Sequence, residues 1–156
     1  MAKDVQRIDL PAQWKYNAKR TGVYCRVSSN SQAQLHSLVD QASGLTQYVH
    51  RQPLLEMTDI FIDVASGSNA IDRPEFQRMI QSARDRKIAY VVTKSVSRLG
   101  RSTEDVLTAV RALKECGVEV FFEDQKFGSM DPEAELMISL YCGVAEGENK
   151  SHSENV

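Results

Sequence analysis

Long apolar runs are missing from this 156-residue sequence. None approaches the roughly 20 residues that a bilayer-spanning helix requires, so a membrane protein is not expected. Residues 1 to 20 carry basic side chains but no apolar core and no small-residue cleavage site, which argues against a secretory signal and for the cytoplasm. Cysteine is sparse, at Cys25, Cys116 and Cys142, with no C-x-x-C pair and no histidine at ligand spacing. Neither a disulfide framework nor a metal site is expected, and three reduced thiols packed as small hydrophobes are. A Walker A phosphate loop is lacking, and so is the G-x-S-x-G elbow of many serine hydrolases. Positive charge is not in excess either. Nineteen Lys and Arg face twenty-one Asp and Glu, a net charge of -2. Tight DNA binding draws on a basic surface, so any action on nucleic acid must rest on a local basic cluster or on further domains.

What is present is an ordinary globular balance, 42% hydrophobic and 26% charged residues, in a length that suits one domain. After the polar arm 1 to 20, Thr21 to Val27 has strand character and about Gln34 to Arg51 reads as a helix. Thr58 to Val64 predicts a second strand, broken by the loop-type cluster Ala65 to Asn69. A helix follows from about Arg73 to Asp85, with Pro74 in its first turn, then a strand from Ile88 to Thr93. Ser102 to Asp105 fits a capping box ahead of an amphipathic helix that stops at Gly117. Val118 to Phe122 is a fourth strand. Asp131-Pro132 opens a last helix with no stop signal before Val156. Strands alternating with helices predict an α/β fold, a mainly parallel central sheet flanked by helices, with a long C-terminal helix.

Three clusters carry chemistry. In Tyr24-Cys25-Arg26-Val27-Ser28 the period of two puts Tyr24, Arg26 and Ser28 on one face and Cys25 on the other. A guanidinium on a buried strand is costly unless something polar or anionic meets it. Arg26 therefore either sits near a sheet edge beside an acidic partner or faces an anion. Ser28 lies just past the strand's carboxyl end, where open α/β sheets place ligands, although a serine opening a helix is ordinarily a cap. The second cluster is Ser97-Arg98-Leu99-Gly100-Arg101. In a helical turn Arg98 and Arg101 share a face and present two forks of N–H donors matched to phosphate oxygens; a solvated basic turn is the plainer alternative. The third is Ser66-Gly67 followed by Asp72-Arg73-Pro74, whose Gly and Ser content suggests a mobile loop; a surface linker with an arginine at the start of the next helix is the plainer alternative.

Taken in order, Y-x-R-V-S, a glutamine-rich segment with Ser37-Leu38 and Gln41, S-G with a downstream D-R-P, and S-R-L-G-R resemble the serine recombinase (resolvase/invertase) family from Thr21 to Val156. Ser97 and the segment Glu148 to Asn155 look more like the large serine recombinases of phages and conjugative transposons than the small resolvases. The resemblance implies a resolvase-like catalytic domain over 21–130, and over 131–156 the start of an oligomerisation helix leading to DNA-binding domains. It implies that Ser28 is the nucleophile, that Arg26, Arg98 and Arg101 contact the scissile phosphate, and that Arg73 completes the set. Gln41, Ser66 and Ser97 match positions that hold substrate. The expected partners are double-stranded DNA and further copies of the chain, a dimer and then a tetramer, acting in integration or excision of a mobile element.

Small resolvases carry Asp where this chain has Ser97, so no acid/base role transfers to that position. Their E-R pairs in the last helix are here Glu148-Asn149 and Glu154-Asn155. No cofactor is expected, because a phosphoserine ester conserves the energy of the broken bond and arginines can stabilise the charge. His36, His50 and His152 have no motif that makes one a general base. A competing reading is a non-catalytic DNA-binding or assembly module of the same fold, which predicts a broken arginine set. A phosphate-binding α/β domain has no glycine-rich loop to support it.

Overall fold

The computed structural model describes residues 17–64 and 73–154, with side chains through Glu148. Strand β1 (Lys19–Val27) leads into helix α1 (Gln32–Arg51), β2 (Leu55–Val64), α2 (Pro74–Arg84) and β3 (Tyr90–Thr93). The one-turn helix α3 (Val96–Leu99), α4 (Thr103–Glu115), β4 (Glu119–Phe122), β5 (Phe127–Gly128) and α5 (Ala134–Glu154) follow. The five strands form one sheet in the order β2-β1-β3-β4-β5. All pairings are parallel except β4 with β5, which is antiparallel. The expected α/β fold with a mainly parallel sheet is thus the fold found.

Several boundaries move. β1 begins at Lys19, which pairs with Leu55, two residues before the predicted Thr21. β2 starts at Leu55, three residues before the predicted Thr58, because pairing with β1 extends it through residues whose alternation is weak. The last helix begins at Ala134 rather than Asp131: Asp131 closes the preceding turn, its carboxylate accepting the Gly128 N–H at 2.9 Å and its carbonyl the Ala134 N–H at 3.1 Å. Strand β5 has no counterpart in the sequence reading. Two residues are too few to show a period, and the pairing exists only because Lys126, at φ 58°, turns the chain back onto β4.

The sheet separates two apolar layers. On one face α1 covers Val23, Cys25 and Val92 with Leu45 and Val49. On the other, α2, α4 and α5 bury Tyr24, Phe61, Val91, Val120 and Phe122 against Met79, Val110, Leu113 and Ile138. Burying each large apolar side chain contributes about 1.5–3 kcal/mol. Helix α4 ends as its glycine predicts. Gly117, at φ 75°, donates to the Lys114 carbonyl at 2.9 Å and Val118 to the Leu113 carbonyl at 2.9 Å, the paired bonds of a Schellman stop.

The strand order positions the site. From β1 the chain steps to β2 on one side and then to β3 and β4 on the other, so the order reverses between β1 and β3. The carboxyl ends flanking such a reversal open a crevice in which α/β sheets hold ligands. Ser28 follows β1 there, and Lys94 to Arg101 follow β3.

Candidate active site

Ser28 is exposed in the bend after β1. It does not cap the following helix: that task falls to Ser31, whose hydroxyl accepts the Gln34 N–H at 3.4 Å. Among the described residues no hydrogen bond engages the Ser28 hydroxyl.

Arg26 lies two residues earlier and is 5% exposed. Its strand is interior, flanked by β2 and β3, so the edge-strand explanation does not hold. Nor does an acidic partner answer it among the described residues. Nε donates to the Arg98 carbonyl at 3.2 Å and Nη2 to the Ser97 carbonyl at 2.8 Å, so the guanidinium is solvated by backbone dipoles. Burial, and then the positive charges of Arg73, Arg101 and Arg98, push the Arg26 guanidinium below its ordinary value, against an opposing influence from Tyr24. The arginines that the sequence scatters over 26–101 are thus electrostatic neighbours. A cation held against like charges is stabilised by an anion, and a phosphate diester is one.

The second cluster departs from its expected geometry. Helix α3 stops at Leu99, and Gly100 is fully extended at φ -158°, ψ 173°, so Arg98 and Arg101 are not on one helical face. They come near Arg26 by different routes. Arg98 is half-buried and its Nη1 donates weakly to the Arg26 carbonyl at 3.4 Å, whereas Arg101 lies exposed after the glycine. Any side chain at position 100 forces its neighbours to shift, because a Cβ there would lie 2.6 Å from Asp105 Oδ2 and 2.9 Å from Val106 Cγ2. The capping box is half formed. Ser102 Oγ accepts the Asp105 N–H at 3.1 Å, but the Asp105 carboxylate turns to the Arg101 N–H at 3.1 Å and to Arg73.

Beside Arg98 a cavity of about 460 Å³ opens between α1 and the segment after β3, lined by Ser37, Asp40, Gln41, Lys94, Ser95, Ser97, Arg98 and Asp124. Gln41 and Ser97, two of the polar positions singled out in sequence, therefore share a wall with Arg98. Ser97 is exposed, its hydroxyl 3.0 Å from that of Ser95. Gln41 is buried, donates to Ser37 Oγ at 3.5 Å, and leaves Oε1 without a partner among the described residues. Lys94 is tied to Glu123 at 2.8 Å and Asp124 at 2.9 Å, and the Glu123 bond, with that to Asp124, raises its pKa. Ser66 lies outside the described residues.

Arg73 stands at the N-terminus of α2, close to where the sequence predicts a helix to begin, but it is 2% exposed rather than on a mobile loop. Nε donates to the Tyr24 hydroxyl at 3.1 Å, Nη1 to Asp105 Oδ2 at 3.1 Å and Nη2 to the Leu99 carbonyl, while Cζ lies 4.1 Å from the Phe76 ring centre. Tyr24 in turn donates to Asp63 at 3.0 Å, and Asp63 accepts the N–H groups of Glu75 at 3.0 Å and Phe76 at 2.9 Å, capping α2 from another element. Tyr24, Asp63 and Asp105 were not read as site residues. Asp63 had a signal: two places after Phe61 it shares that residue's inward face, where a carboxylate is as anomalous as Arg26.

Comparison with known proteins bears on the chain as a whole. The description "Resolvase, N terminal domain" matches residues 21–156. An R46 site-specific recombinase of Escherichia coli is 28% identical over 127 residues, 81% of this chain and 60% of that protein, so the chain spans less than two thirds of this relative. Among solved structures, the N-terminal catalytic domain of TP901-1 integrase is similar in fold, with a TM-score of 0.68 at 22% identity over 86% of this chain and 99% of that one. A resolvase family site-specific recombinase from Streptococcus pneumoniae reaches a TM-score of 0.66 at 26% identity, covering 88% of this chain and 92% of that one. With the family match running from Thr21 to the last residue, the chain belongs to the resolvase family of serine recombinases.

Proposed function

We propose that this chain is the catalytic domain of a site-specific DNA recombinase in which Ser28 attacks a DNA phosphodiester. The observation that carries the reading is the exposed, uncapped Ser28 two residues from a buried guanidinium, Arg26, that is solvated by carbonyls and shares its electrostatic neighbourhood with Arg98 and Arg101. Attack by Ser28 Oγ on phosphorus forms a phosphoserine ester to the 5′ side and breaks the bond to the 3′ oxygen. The serine gives up its proton, the leaving oxygen takes one up, and a 3′-hydroxyl results. Charge grows on the non-bridging oxygens as the bond order changes, and fixed guanidinium donors stabilise that charge most where water is scarce. Reversal by an incoming 3′-hydroxyl rejoins the strand with no external energy source.

Gln41 and Ser97, on the cavity beside Arg98, and Ser66 are assigned to holding the DNA backbone. Exchange between two duplexes needs several active sites, so a dimer of the chain, paired into a tetramer on double-stranded DNA, is the working unit. Its role is integration or excision of a mobile element. The alternative, a non-catalytic module, is disfavoured by the intact set of Ser28, Arg26, Arg98 and Arg101.

The test uses the complete protein containing this chain and a target site nicked so that religation is blocked. A covalent adduct should accumulate on the 5′ side of the break with a free 3′-hydroxyl, and peptide mass spectrometry should locate it at Ser28. Cleavage without an adduct would indicate a hydrolytic nuclease and overturn the reading.

A further inference from the structure

Granted the chemistry proposed for Ser28, we propose that Arg73 is a positioning residue: it holds the Leu99–Arg101 turn in place through the Leu99 carbonyl and Asp105, and does not contact the scissile phosphate. The turn cannot hold itself. Helix α3 is a single turn, Gly100 is extended, and among the described residues no backbone N–H reaches the Leu99 carbonyl. Such an orphaned acceptor needs a donor from elsewhere, and Arg73 Nη2 supplies it. On the other side of Gly100, the Arg101 N–H is held by Asp105 Oδ2, the same oxygen that accepts Arg73 Nη1. Arg73 therefore grips the turn on both sides of its glycine, directly at residue 99 and through one carboxylate at residue 101.

Arg73 is itself fixed. Tyr24 takes its Nε, Asp63 takes the Tyr24 hydroxyl, and the Phe76 ring packs under the guanidinium. Because Tyr24 precedes Arg26 by two residues on β1, one buried network references both Arg26 and the turn that carries Arg98 and Arg101. All three nitrogens of the Arg73 guanidinium donate to protein acceptors, and its charge is met by Asp105 at 3.1 Å. A phosphate approaching Arg73 would also approach that carboxylate, which repels it.

The proposal is tested in the complete protein on a nicked site, with the natural phosphate and with a methylphosphonate at the scissile position, whose methyl group replaces one charged oxygen. A residue that neutralises that oxygen is needed less on the neutral substrate. Arg98→Ala and Arg101→Ala are expected to slow cleavage of the phosphate about 100- to 1,000-fold and to recover much of that loss, relative to the parent, on the methylphosphonate. Arg73→Ala should lose about 100-fold on both substrates, the size of effect that a misplaced active-site group produces. Asp105→Asn, a neutral isostere that keeps the fold accessible if Arg73→Ala does not fold, should show the same substrate-independent loss. Recovery of Arg73→Ala on the methylphosphonate like that of Arg98→Ala, or an Asp105→Asn variant as fast as the parent, would overturn the proposal. An adduct that survives Ser28→Ala would instead remove the underlying chemistry and the proposal with it.

Discussion

Ser31 caps helix α1 by accepting the Gln34 N–H, and Ser28, three residues earlier, is left with no structural task. The two hydroxyls should therefore separate cleanly. Ser28→Ala is expected to abolish the covalent DNA adduct with no change in the urea midpoint. Ser31→Ala should lower stability by about 1 kcal/mol, the usual worth of an N-cap, and keep the adduct. A Ser28→Ala protein that unfolds at lower urea would show that its hydroxyl is structural after all.

Among the described residues the Arg98 side chain makes only a long bond, to the Arg26 carbonyl at 3.4 Å. Its removal should cost little stability while slowing cleavage by about two to three orders of magnitude, as loss of a donor that acts on the transition state does. Because guanidinium groups carry the charge stabilisation in this reading, cleavage should also be indifferent to EDTA once DNA occupancy is shown to be equal. Cleavage abolished by chelation and restored by magnesium would contradict it.

At Gly100 a methyl group would meet the Asp105 carboxylate at 2.6 Å and Val106 at 2.9 Å. Asp105 cannot retreat without releasing the Arg101 N–H and Arg73. Gly100→Ala should fold with a cost of about 1–3 kcal/mol, typical of overpacking, and lose most of its cleavage rate at saturating DNA. A variant with parental kcat would mean that the turn tolerates displacement.

Helix α5 spans about 30 Å, at 1.5 Å per residue. It turns Ala134, Ile138 and Cys142 inward and leaves Leu136, Leu140 and Val144 at 60%, 61% and 64% exposure. That outer stripe repeats every four residues, a spacing suited to a partner helix. The chain is expected to sediment as a reversible dimer, and Leu140→Glu to shift it to monomer without loss of helix content. Equal sedimentation of the two proteins at high concentration would count against α5 as the contact.

Burial pushes the Cys25 thiol up to about 12 from its ordinary 9.0. Between those values the unfolded chain has lost a proton that the folded chain keeps, so unfolding releases a proton and is favoured as pH rises. The contribution is intact below pH 9 and disappears as pH climbs toward 12; burial of the Tyr24 hydroxyl acts in the same direction. Urea midpoints should fall over this window, less steeply in Cys25→Ala. With a thiol reagent at pH 8, Cys116, the half-buried one of the three, should react first and Cys25 only on unfolding.

Much of this was written locally. A period of two suffices to set Tyr24 and Arg26 on one face of β1 and Cys25 on the other, because alternation is a property of extended backbone and needs no partner strand. Gly117 announces the end of α4 because a left-handed residue is a local demand. The grouping of Arg26, Arg98 and Arg101 follows from chain order on a parallel sheet, whose carboxyl ends gather loops that sequence separates. Other features were decided only when distant segments met. Whether Ser28 or Ser31 caps α1 depends on where the chain leaves β1, and Arg73 reads as an arginine turned to substrate until Tyr24, Leu99 and Asp105 close around it. Helix α5 is apolar on two sides, and its pattern alone does not say which side the domain keeps. Those outcomes rest on contacts between residues tens of positions apart, whose energies depend on burial that no local window contains.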